Sequence, residues 1–194
     1  MRRNSRIAAF CDRDGTIIED VPYISDPEKV TLIPGSALAI RKLNQAGIFV
    51  VLTTNQSGLA RGIFTETDLH AVNRRMEELL AREDARIDAS YFCPHLPREM
   101  LSAGEEACDC RKPGVGMVKR AQTEMGIDPA RSYFFGDRMS DVEMALRAGG
   151  IPYLVCTGQG EVEAHAVRNM QGVSIVKDLL TGVCDVLENL RKDS

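Results

Sequence analysis

The stretch FCDRDGT at residues 10–16 decides the fold, because a short apolar run and two carboxylates meet in it. The apolar residues 7–11 are too few for a helix and predict a buried strand. Asp12 and Asp14 follow at the strand's end, and Gly15 lets the chain turn sharply. Ligands of parallel sheets bind at the carboxyl ends of strands. The two acids are therefore either reactive groups or ordinary loop and helix-cap residues, and the rest of the chain favours the first interpretation.

Apolar runs and amphipathic segments alternate along the rest of the chain. Further strands are predicted at residues 48–53, 89–92, 132–135, 153–156 and 173–176. Helices are predicted at residues 34–46, from 65, and at 115–125, 141–148, 161–170 and 179–190. Such alternation implies parallel βαβ units, hence an α/β fold with a doubly wound, mostly parallel sheet. We expect one domain over residues 1–194.

The segments between the predicted elements indicate how open the site is. Residues 20–27 are polar and contain two prolines, which predicts an irregular flap. None of the connections is long enough for a large cap domain. Specificity is therefore expected to come from this flap and from the loop at residues 93–110.

Composition narrows the class of protein and its partners. The chain has 194 residues, of which 44% are hydrophobic and 27% charged, as in ordinary globular domains. A net charge of −4 argues against a nucleic-acid surface. The longest apolar run, 48–52, cannot cross a bilayer, and the basic start at residues 1–6 lacks the apolar length of a signal peptide. We therefore expect a cytoplasmic protein with neither nucleic-acid nor membrane partners.

Four potential metal ligands lie in the loop at residues 93–110. They are Cys93, His95, Cys108 and Cys110. Three thiolates and one imidazole complete a tetrahedral zinc set, which predicts a structural Zn²⁺. A disulfide between the two closest cysteines would be strained, whereas reduced thiols without metal remain an alternative. Because the last cysteine precedes Arg111 and Lys112 directly, loss of zinc is expected to lower turnover.

Polar groups of complementary chemistry follow several of the predicted strands. They are Asp12 with Asp14, Thr54 with Asn55, Arg111 with Lys112, and Asp137 with Asp141. In a parallel sheet these strand ends share one edge. Carboxylates there can hold a divalent cation, hydroxyl and amide groups can donate hydrogen bonds, and cations can offset phosphate charge. Together these groups predict phosphoryl transfer.

In these motifs the chain resembles the haloacid-dehalogenase-like phosphatases. The matching segments are D-x-D-G-T at 12–16, T-N at 54–55, Lys112, and G-D-x-x-x-D at 136–141. The resemblance implies that Asp12 attacks phosphorus and becomes an aspartyl-phosphate. It implies that Asp14 protonates the leaving alcohol and then activates water.

The same resemblance implies the surroundings of the phosphoryl group. Thr54 and Asn55 would donate hydrogen bonds to it, and Lys112 would offset its charge. A catalytic Mg²⁺ would be held by Asp12, the main-chain carbonyl of Asp14 and Asp137. For Asp141 two roles stay open, namely orienting its neighbours in the site and capping its helix.

Three further segments narrow the resemblance. C-P-H at 93–95, C-D-C-R-K-P at 108–113 and T-N-Q-S-G-L-A-R-G at 54–62 are similar to those of the D-glycero-D-manno-heptose 1,7-bisphosphate 7-phosphatase family. That family implies a monomer that removes the 7-phosphate from a phosphorylated sugar, giving heptose 1-phosphate for nucleotide-activated heptose synthesis. The substrate contacts it implies are Asp20, Val21, Pro22, Tyr23, Thr54, Asn55, Gln56, Ser57, Arg111 and Lys112.

Three other functions compete with this interpretation. Histidinol-phosphate phosphatases share the zinc loop. Polynucleotide 3′-phosphatases share D-x-D-G-T and T-N-Q, but the acidic balance of this chain disfavours a nucleic-acid substrate. An inactive, zinc-stabilised interaction module is disfavoured because Asp12, Asp14, Lys112 and Asp137 are all present.

Overall fold

A computed structural model describes residues 6–102, 104 and 106–192. Residues 1–5 of the basic start and residues 103 and 105 of the loop with the cysteines lie outside this part. The described chain forms one six-stranded sheet of order β3-β2-β1-β4-β5-β6 in which neighbouring strands pair in parallel. Its strands are β1 (Ala8–Cys11), β2 (Phe49–Asn55), β3 (Ala89–Cys93), β4 (Tyr133–Gly136), β5 (Ile151–Val155) and β6 (Ser174–Val176). The predicted α/β fold with a parallel sheet is confirmed.

Helices cover both faces of this sheet. They are α1 (Ser36–Gln45), α2 (Glu66–Ala81), α3 (Gly116–Met125), α4 (Met139–Arg147), α5 (Gly160–Val167) and α6 (Leu179–Lys192). Buried residues of α1, α2 and α6 share one hydrophobic cluster with the sheet. Those of α3 and α4 pack in a second cluster, and α4 and α5 meet in a third. The sheet is therefore doubly wound, with three helices on each side.

The central strand β1 shows why the sequence folds this way. Ala9 and Cys11 belong to one hydrophobic cluster, whereas Ala8 and Phe10 belong to the other. All four residues are at most 1% exposed. Because successive side chains point to opposite faces, a strand covered on both sides needs an unbroken apolar run. This run ends one residue before Asp12, so the first acid emerges at the carboxyl edge of the sheet.

Local details agree with most of the sequence signals. A capping box forms at Thr65, where a helix is predicted to begin, since the Thr65 backbone N–H donates to Asp68 at 2.8 Å and its hydroxyl accepts from the Asp68 N–H at 3.2 Å. Helix α4 begins at Met139 rather than at the predicted Asp141, because Asp141 accepts from the backbone N–H of Arg138 as the third residue of the helix. In the segment at residues 20–27 and just beyond, regular structure is limited to a short 3₁₀ helix at Pro27–Lys29.

The remaining expectations concern membrane-spanning helices, domain organisation and oligomeric state. Among the described residues, none of the helices is both long enough and apolar enough to cross a membrane. The organisation of residues 1–194 as a single domain stays a prediction, and so does the monomeric state.

Candidate active site

The predicted groups converge at the carboxyl edge of the sheet. Asp12 follows β1, Thr54 and Asn55 end β2, and Asp137 follows β4. A cavity of about 1010 Å³ opens there. It is lined by both acids of the D-x-D motif and by every predicted substrate contact: Asp20, Val21, Pro22, Tyr23, Thr54, Asn55, Gln56, Ser57, Arg111 and Lys112. Asp137 lies beneath it and is fully buried.

Lys112 is the cation at the centre of the site. Its Nζ lies 2.8 Å from Oδ1 of Asp12 and 2.6 Å from Oδ1 of Asp141, and it donates to the carbonyl of Thr53 at 3.0 Å. The side chain is 2% exposed. Burial alone would lower the pKa of this ammonium, but Asp12 and Asp141 raise it above its ordinary value. Lys112 is therefore charged at neutral pH and directed at the predicted nucleophile.

Asn55 holds Lys112 from the neighbouring strand. Its Oδ1 accepts from the Lys112 N–H at 3.0 Å, and its Nδ2 donates to the Lys112 carbonyl at 3.3 Å. Both amide atoms of Asn55 thus bind the backbone of Lys112. The phosphoryl contact expected of Asn55 stays a prediction, whereas its positioning contact to Lys112 is an additional finding.

Thr54 and Gln56 form a second pair at the end of β2. The Gln56 Nε2 donates to the Thr54 hydroxyl at 2.8 Å and to Oδ2 of Asp14 at 3.0 Å. A hydroxyl that accepts a hydrogen bond keeps its own proton for donation. Thr54, which is 1% exposed but lines the cavity, therefore keeps its proton for donation, and its hydrogen bond to the phosphoryl group stays a prediction.

Three carboxylates form a buried cluster that fits a hard cation. Asp12, Asp137 and Asp141 offer oxygens within 4.8 Å of one another. Oδ1 of Asp137 is buried and lacks a hydrogen-bond partner among the described residues. Burial raises the pKa of Asp137 to about 7, and the nearby charge of Asp12 adds to this effect. Burial also raises the pKa of Asp141 to about 6, although Lys112 opposes it. Crowded acids with an unpaired oxygen are the donor set expected for Mg²⁺.

This cluster contains both predicted side-chain ligands, Asp12 and Asp137, and adds Asp141. Asp141 supplies the third carboxylate, whereas the side chain of Asp14 faces away toward other partners. Asp141 combines both roles left open by the sequence, because Oδ2 accepts from the Arg138 N–H at 3.2 Å while Oδ1 pairs with Lys112. Coordination through the main-chain carbonyl of Asp14 stays a prediction.

The loop after β5 supports the predicted metal ligand Asp137. The Gln159 N–H donates to Oδ2 of Asp137 at 2.8 Å, and the Thr157 hydroxyl donates to the carbonyl of Gly15 at 2.6 Å. Gly15 has φ +78°, and a Cβ there would overlap Oδ2 of Asp137. The same holds at Gly158, whose φ is +55°. The two glycines let the D-x-D turn and the β5–α5 loop close around this carboxylate.

Asp14, the predicted acid and base, is fixed by a buried arginine. Nε and Nη2 of Arg13 each lie 3.0–3.2 Å from both carboxylate oxygens of Asp14. Arg13 is 1% exposed, and its Nη1 donates to Oδ1 of Asn73 on α2 at 2.9 Å. Burial raises the pKa of Asp14, while the charge of Arg13 opposes the rise. A raised pKa brings a carboxyl closer to the range in which it can give up a proton as a general acid.

The flap is tied to the rest of the site on two sides. Oδ2 of Asp20 accepts from Nη2 of Arg138 at 3.3 Å. The guanidinium carbon of Arg61 lies 6.0 Å from the centre of the Tyr23 ring. Tyr23 has φ +51°, an unusual conformation for a residue other than glycine, and is 46% exposed at the cavity wall. The flap therefore presents an aromatic face at the entrance of the cavity.

The four predicted zinc ligands also come together. Sγ of Cys93 lies 3.5 Å from that of Cys108 and 3.2 Å from that of Cys110, and Nδ1 of His95 lies 3.5 and 3.3 Å from the sulfurs of Cys93 and Cys110. Zn–S bonds of about 2.3 Å place tetrahedral ligand atoms about 3.4–3.8 Å apart, close to these separations. The donor set therefore fits Zn²⁺, and binding of the ion itself stays a prediction.

This cluster holds Arg111 more directly than Lys112. The backbone N–H of Arg111 donates to the sulfur of Cys108, and its Nη1 donates to the carbonyl of His95 at 3.2 Å. Lys112, by contrast, is held by Asn55 and by the carbonyl of Thr53. The zinc cluster thus positions the outer cation, whereas strand β2 positions the inner one.

Sequence reasoning missed several groups at the site. Arg13 and Asn73 are the clearest of these missed groups. Asn73 could have been found from the sequence, because it is a polar residue on the otherwise apolar stripe of α2. The T-G-Q-G segment at 157–160 could also have been found, because it is a glycine-containing loop after β5, which ends at the carboxyl edge of the sheet. Arg98 and Arg147 also line the cavity, but they lie in regions without a recognisable motif.

Similarity to known proteins places the chain in a family. Residues 109–181 match the HAD-hydrolase-like family. A D-glycero-beta-D-manno-heptose-1,7-bisphosphate 7-phosphatase from Rhodopseudomonas palustris is 47% identical over 147 residues, which cover 76% of this chain and 81% of that protein. A protein of the same name from Yersinia pestis is 42% identical over 168 residues, covering 84% and 89%. The chain belongs to the D-glycero-D-manno-heptose-1,7-bisphosphate 7-phosphatase family.

Solved structures of this family have the same fold. The D,D-heptose 1,7-bisphosphate phosphatase from B. bronchiseptica, crystallised with magnesium and phosphate, superposes with a TM-score of 0.85 at 34% identity and covers 94% of this chain and 99% of its own. The D,D-heptose 1,7-bisphosphate phosphatase from Burkholderia thailandensis gives a TM-score of 0.71 at 31% identity, covering 94% and 99%. The family resemblance of the sequence motifs is confirmed.

Proposed function

We propose that the protein is a Mg²⁺-dependent phosphatase that removes the 7-phosphate of D-glycero-D-manno-heptose 1,7-bisphosphate and releases heptose 1-phosphate for nucleotide-activated heptose synthesis. The observation that carries this proposal is the buried ion pair of Lys112 with Asp12, beside the two further acids Asp137 and Asp141. Membership of a family whose proteins bear this name supports the substrate. A cytoplasmic location is part of the proposal.

The proposed reaction has two steps. In the first, a carboxylate oxygen of Asp12 attacks phosphorus, the bond from phosphorus to the sugar oxygen breaks, and Asp14 gives that oxygen its proton. In the second, water attacks phosphorus, returns a proton to Asp14, and inorganic phosphate leaves Asp12. In both steps Lys112 offsets the negative charge of the phosphoryl oxygens, and Thr54 donates a hydrogen bond to them.

Asp12, Asp137 and the main-chain carbonyl of Asp14 are the groups proposed to hold Mg²⁺, and the carboxylate of Asp141 lies beside them. When bound, the ion supplies charge that lets an anionic carboxylate approach an anionic phosphate. Their burial and the unpaired Oδ1 of Asp137 support this assignment.

The cavity suits a substrate with two anionic ends. Lys112 marks one phosphate position, and Arg111 and Arg98 place further positive charge along a wall that also carries Glu99 and Glu163. Arg111 uses one of its five N–H donors on His95, which leaves a fork for a second phosphate. Histidinol phosphate carries a single phosphate and cationic groups, so this wall favours the bisphosphate.

The substrate is tested by comparing heptose 1,7-bisphosphate with histidinol phosphate. We expect kcat/KM to be at least about 10²-fold higher for the bisphosphate, since a charge-assisted hydrogen bond contributes about 1.5–3 kcal/mol and the wall offers several. Phosphorus NMR of the product should show that the phosphate at the anomeric carbon is kept. Equal kcat/KM values, or loss of the anomeric phosphate, would contradict the proposal.

Zinc removal should weaken substrate binding more than chemistry. In Cys108→Ser, a zinc ligand and the sulfur that accepts from the Arg111 N–H are lost together, so the loop that holds Arg111 is loosened while Lys112 keeps Asn55. We expect KM for the heptose bisphosphate to rise about 10–100-fold, the worth of one charge-assisted contact, with a smaller change in kcat. The zinc content per chain, measured by atomic absorption, should fall in the same variant.

Cys184→Ser is the matched control for this variant, because Cys184 lies on α6, away from the zinc cluster. It should keep both zinc content and KM. A Cys108→Ser protein that lacks zinc and retains the wild-type KM would contradict the positioning role of the cluster.

A further inference from the structure

We propose that Arg13 and Asn73 form a positioning pair that fixes the carboxyl group of Asp14 for proton transfer to and from the sugar oxygen. The inference rests on the proposed function, because it assigns the source of Asp14's orientation in that reaction. Neither residue touches the phosphoryl group in this assignment. Both act through Asp14.

The contacts of Arg13 are those of a clamp rather than of a surface ion pair. Its guanidinium presents Nε and Nη2 to both oxygens of Asp14 at 3.0–3.2 Å, so both oxygens are held against one edge of the guanidinium. The arginine side chain is 1% exposed, whereas that of Asp14 is 22% exposed toward the cavity. Arg13 is thus buried in the protein, whereas the carboxyl group of Asp14 that it holds faces the cavity.

Asn73 fixes the other side of the guanidinium. Its Oδ1 accepts from Nη1 of Arg13 at 2.9 Å, and Asn73 is 7% exposed within the buried face of α2. A buried polar residue on an apolar stripe costs stability unless it is hydrogen-bonded. Its contact with Arg13 therefore links a core helix to Asp14, over 60 positions of sequence.

Gln56, which follows the neighbouring strand β2, completes the arrangement. Its Nε2 donates to Oδ2 of Asp14 at 3.0 Å. Arg13 alone would leave the carboxylate free to tilt about the guanidinium plane, and a donor from β2 removes that freedom. Proton transfer needs the carboxyl oxygen within hydrogen-bond reach of the leaving oxygen, so this orientation bears on the rate.

The test uses leaving groups that differ in their need for a proton. The sugar alkoxide must be protonated as it leaves, whereas 4-nitrophenolate leaves without a general acid. For Arg13→Gln and Arg13→Lys we expect kcat/KM for the heptose bisphosphate to fall about 10²-fold, at the low end of what general acid catalysis contributes, and kcat/KM for 4-nitrophenyl phosphate to fall less than about threefold. For Asn73→Ala we expect kcat/KM for the heptose bisphosphate to fall only about tenfold, because the guanidinium keeps its bonds to Asp14. The value for 4-nitrophenyl phosphate should again change less.

A second readout comes from the hydrolysis step. For 4-nitrophenyl phosphate, kcat/KM reports only the steps up to release of nitrophenolate. The value of kcat also depends on the later attack of water on the aspartyl-phosphate, which Asp14 assists. The variants should therefore show a burst of nitrophenolate followed by slow turnover. A merely structural role would lower kcat/KM for both esters together and give no burst.

Controls make the outcome decisive. Arg74→Gln replaces an exposed arginine next to Asn73 and should leave both esters unaffected. Equal losses for both esters, or no loss for either, overturn the proposal. If the Arg13 variants do not fold, the proposal is tested with Asn73→Ala, by comparing its loss of kcat/KM for the heptose bisphosphate with its loss for 4-nitrophenyl phosphate. Failure of the proposed function itself looks different, since the wild-type protein would then not release phosphate from the heptose bisphosphate, or Asp12→Asn would remain active.

Discussion

Asp12→Asn is expected to lower kcat by at least about 10³-fold, because an amide cannot form the acyl phosphate that splits the reaction into two steps. The residue lies 2.8 Å from the Lys112 ammonium and lines the cavity, so its carboxylate is the group best placed to meet phosphorus. Phosphate release from the heptose bisphosphate measures the loss. Rapid quenching with labelled substrate should trap protein-bound phosphate in the wild type and none in the variant.

The same substitution should leave the fold intact. Asparagine has nearly the shape of aspartate, and Lys112 keeps its contact with Asp141. Removing one negative charge also relieves Asp137 and Asp141, whose pKa values Asp12 raises. The metal-free variant should therefore melt at the wild-type temperature or slightly above.

Asp84→Asn is the matched control. Asp84 is exposed beyond the end of α2, and its φ of +56° is one that asparagine tolerates. It should keep wild-type kcat. An Asp12→Asn protein within about tenfold of wild-type kcat would exclude Asp12 as the nucleophile.

The sequence predicted the sheet well because the signals for strands and caps are local. An unbroken apolar run such as residues 7–11 is typical of a strand buried on both faces, whatever its neighbours. Thr65 and Asp68 specify a helix start within four residues. The strand order, by contrast, depends on which apolar faces pack together, and no single segment of the chain encodes it.

Motifs predicted which residues meet at the site but not how they hold one another. The pairs Asn55–Lys112 and Arg13–Asn73 join positions 57 and 60 residues apart. Their geometry follows from contacts between segments that are far apart in the sequence, which no local motif specifies. The sequence left the role of Asp141 open for the same reason. Its cap at the start of α4 is a local contact, whereas its ion pair with Lys112 forms only in the folded protein.

Lys112→Met is expected to damage both catalysis and stability, in contrast to Asp12→Asn. We expect kcat to fall at least about 10²-fold, as when a preorganised group that stabilises transition-state charge is removed. Leaving Asp12 and Asp141 buried without their cation should cost about 3–5 kcal/mol in the free energy of unfolding of the metal-free protein. Thermal melts and phosphate release measure the two effects.

The loss of stability should depend on pH with a defined sign. Burial already raises the pKa of Asp141 to about 6, and removing Lys112 raises it further. A carboxyl whose pKa is higher in the folded than in the unfolded state is stabilising only when protonated, so its contribution is lost as pH rises through the folded pKa. The drop in Tm should therefore be small at pH near 5 and large at pH near 8. Lys119→Met, at an exposed position on α3, should show no such dependence. An equal drop in Tm at both pH values would mean that Lys112 does not neutralise these acids.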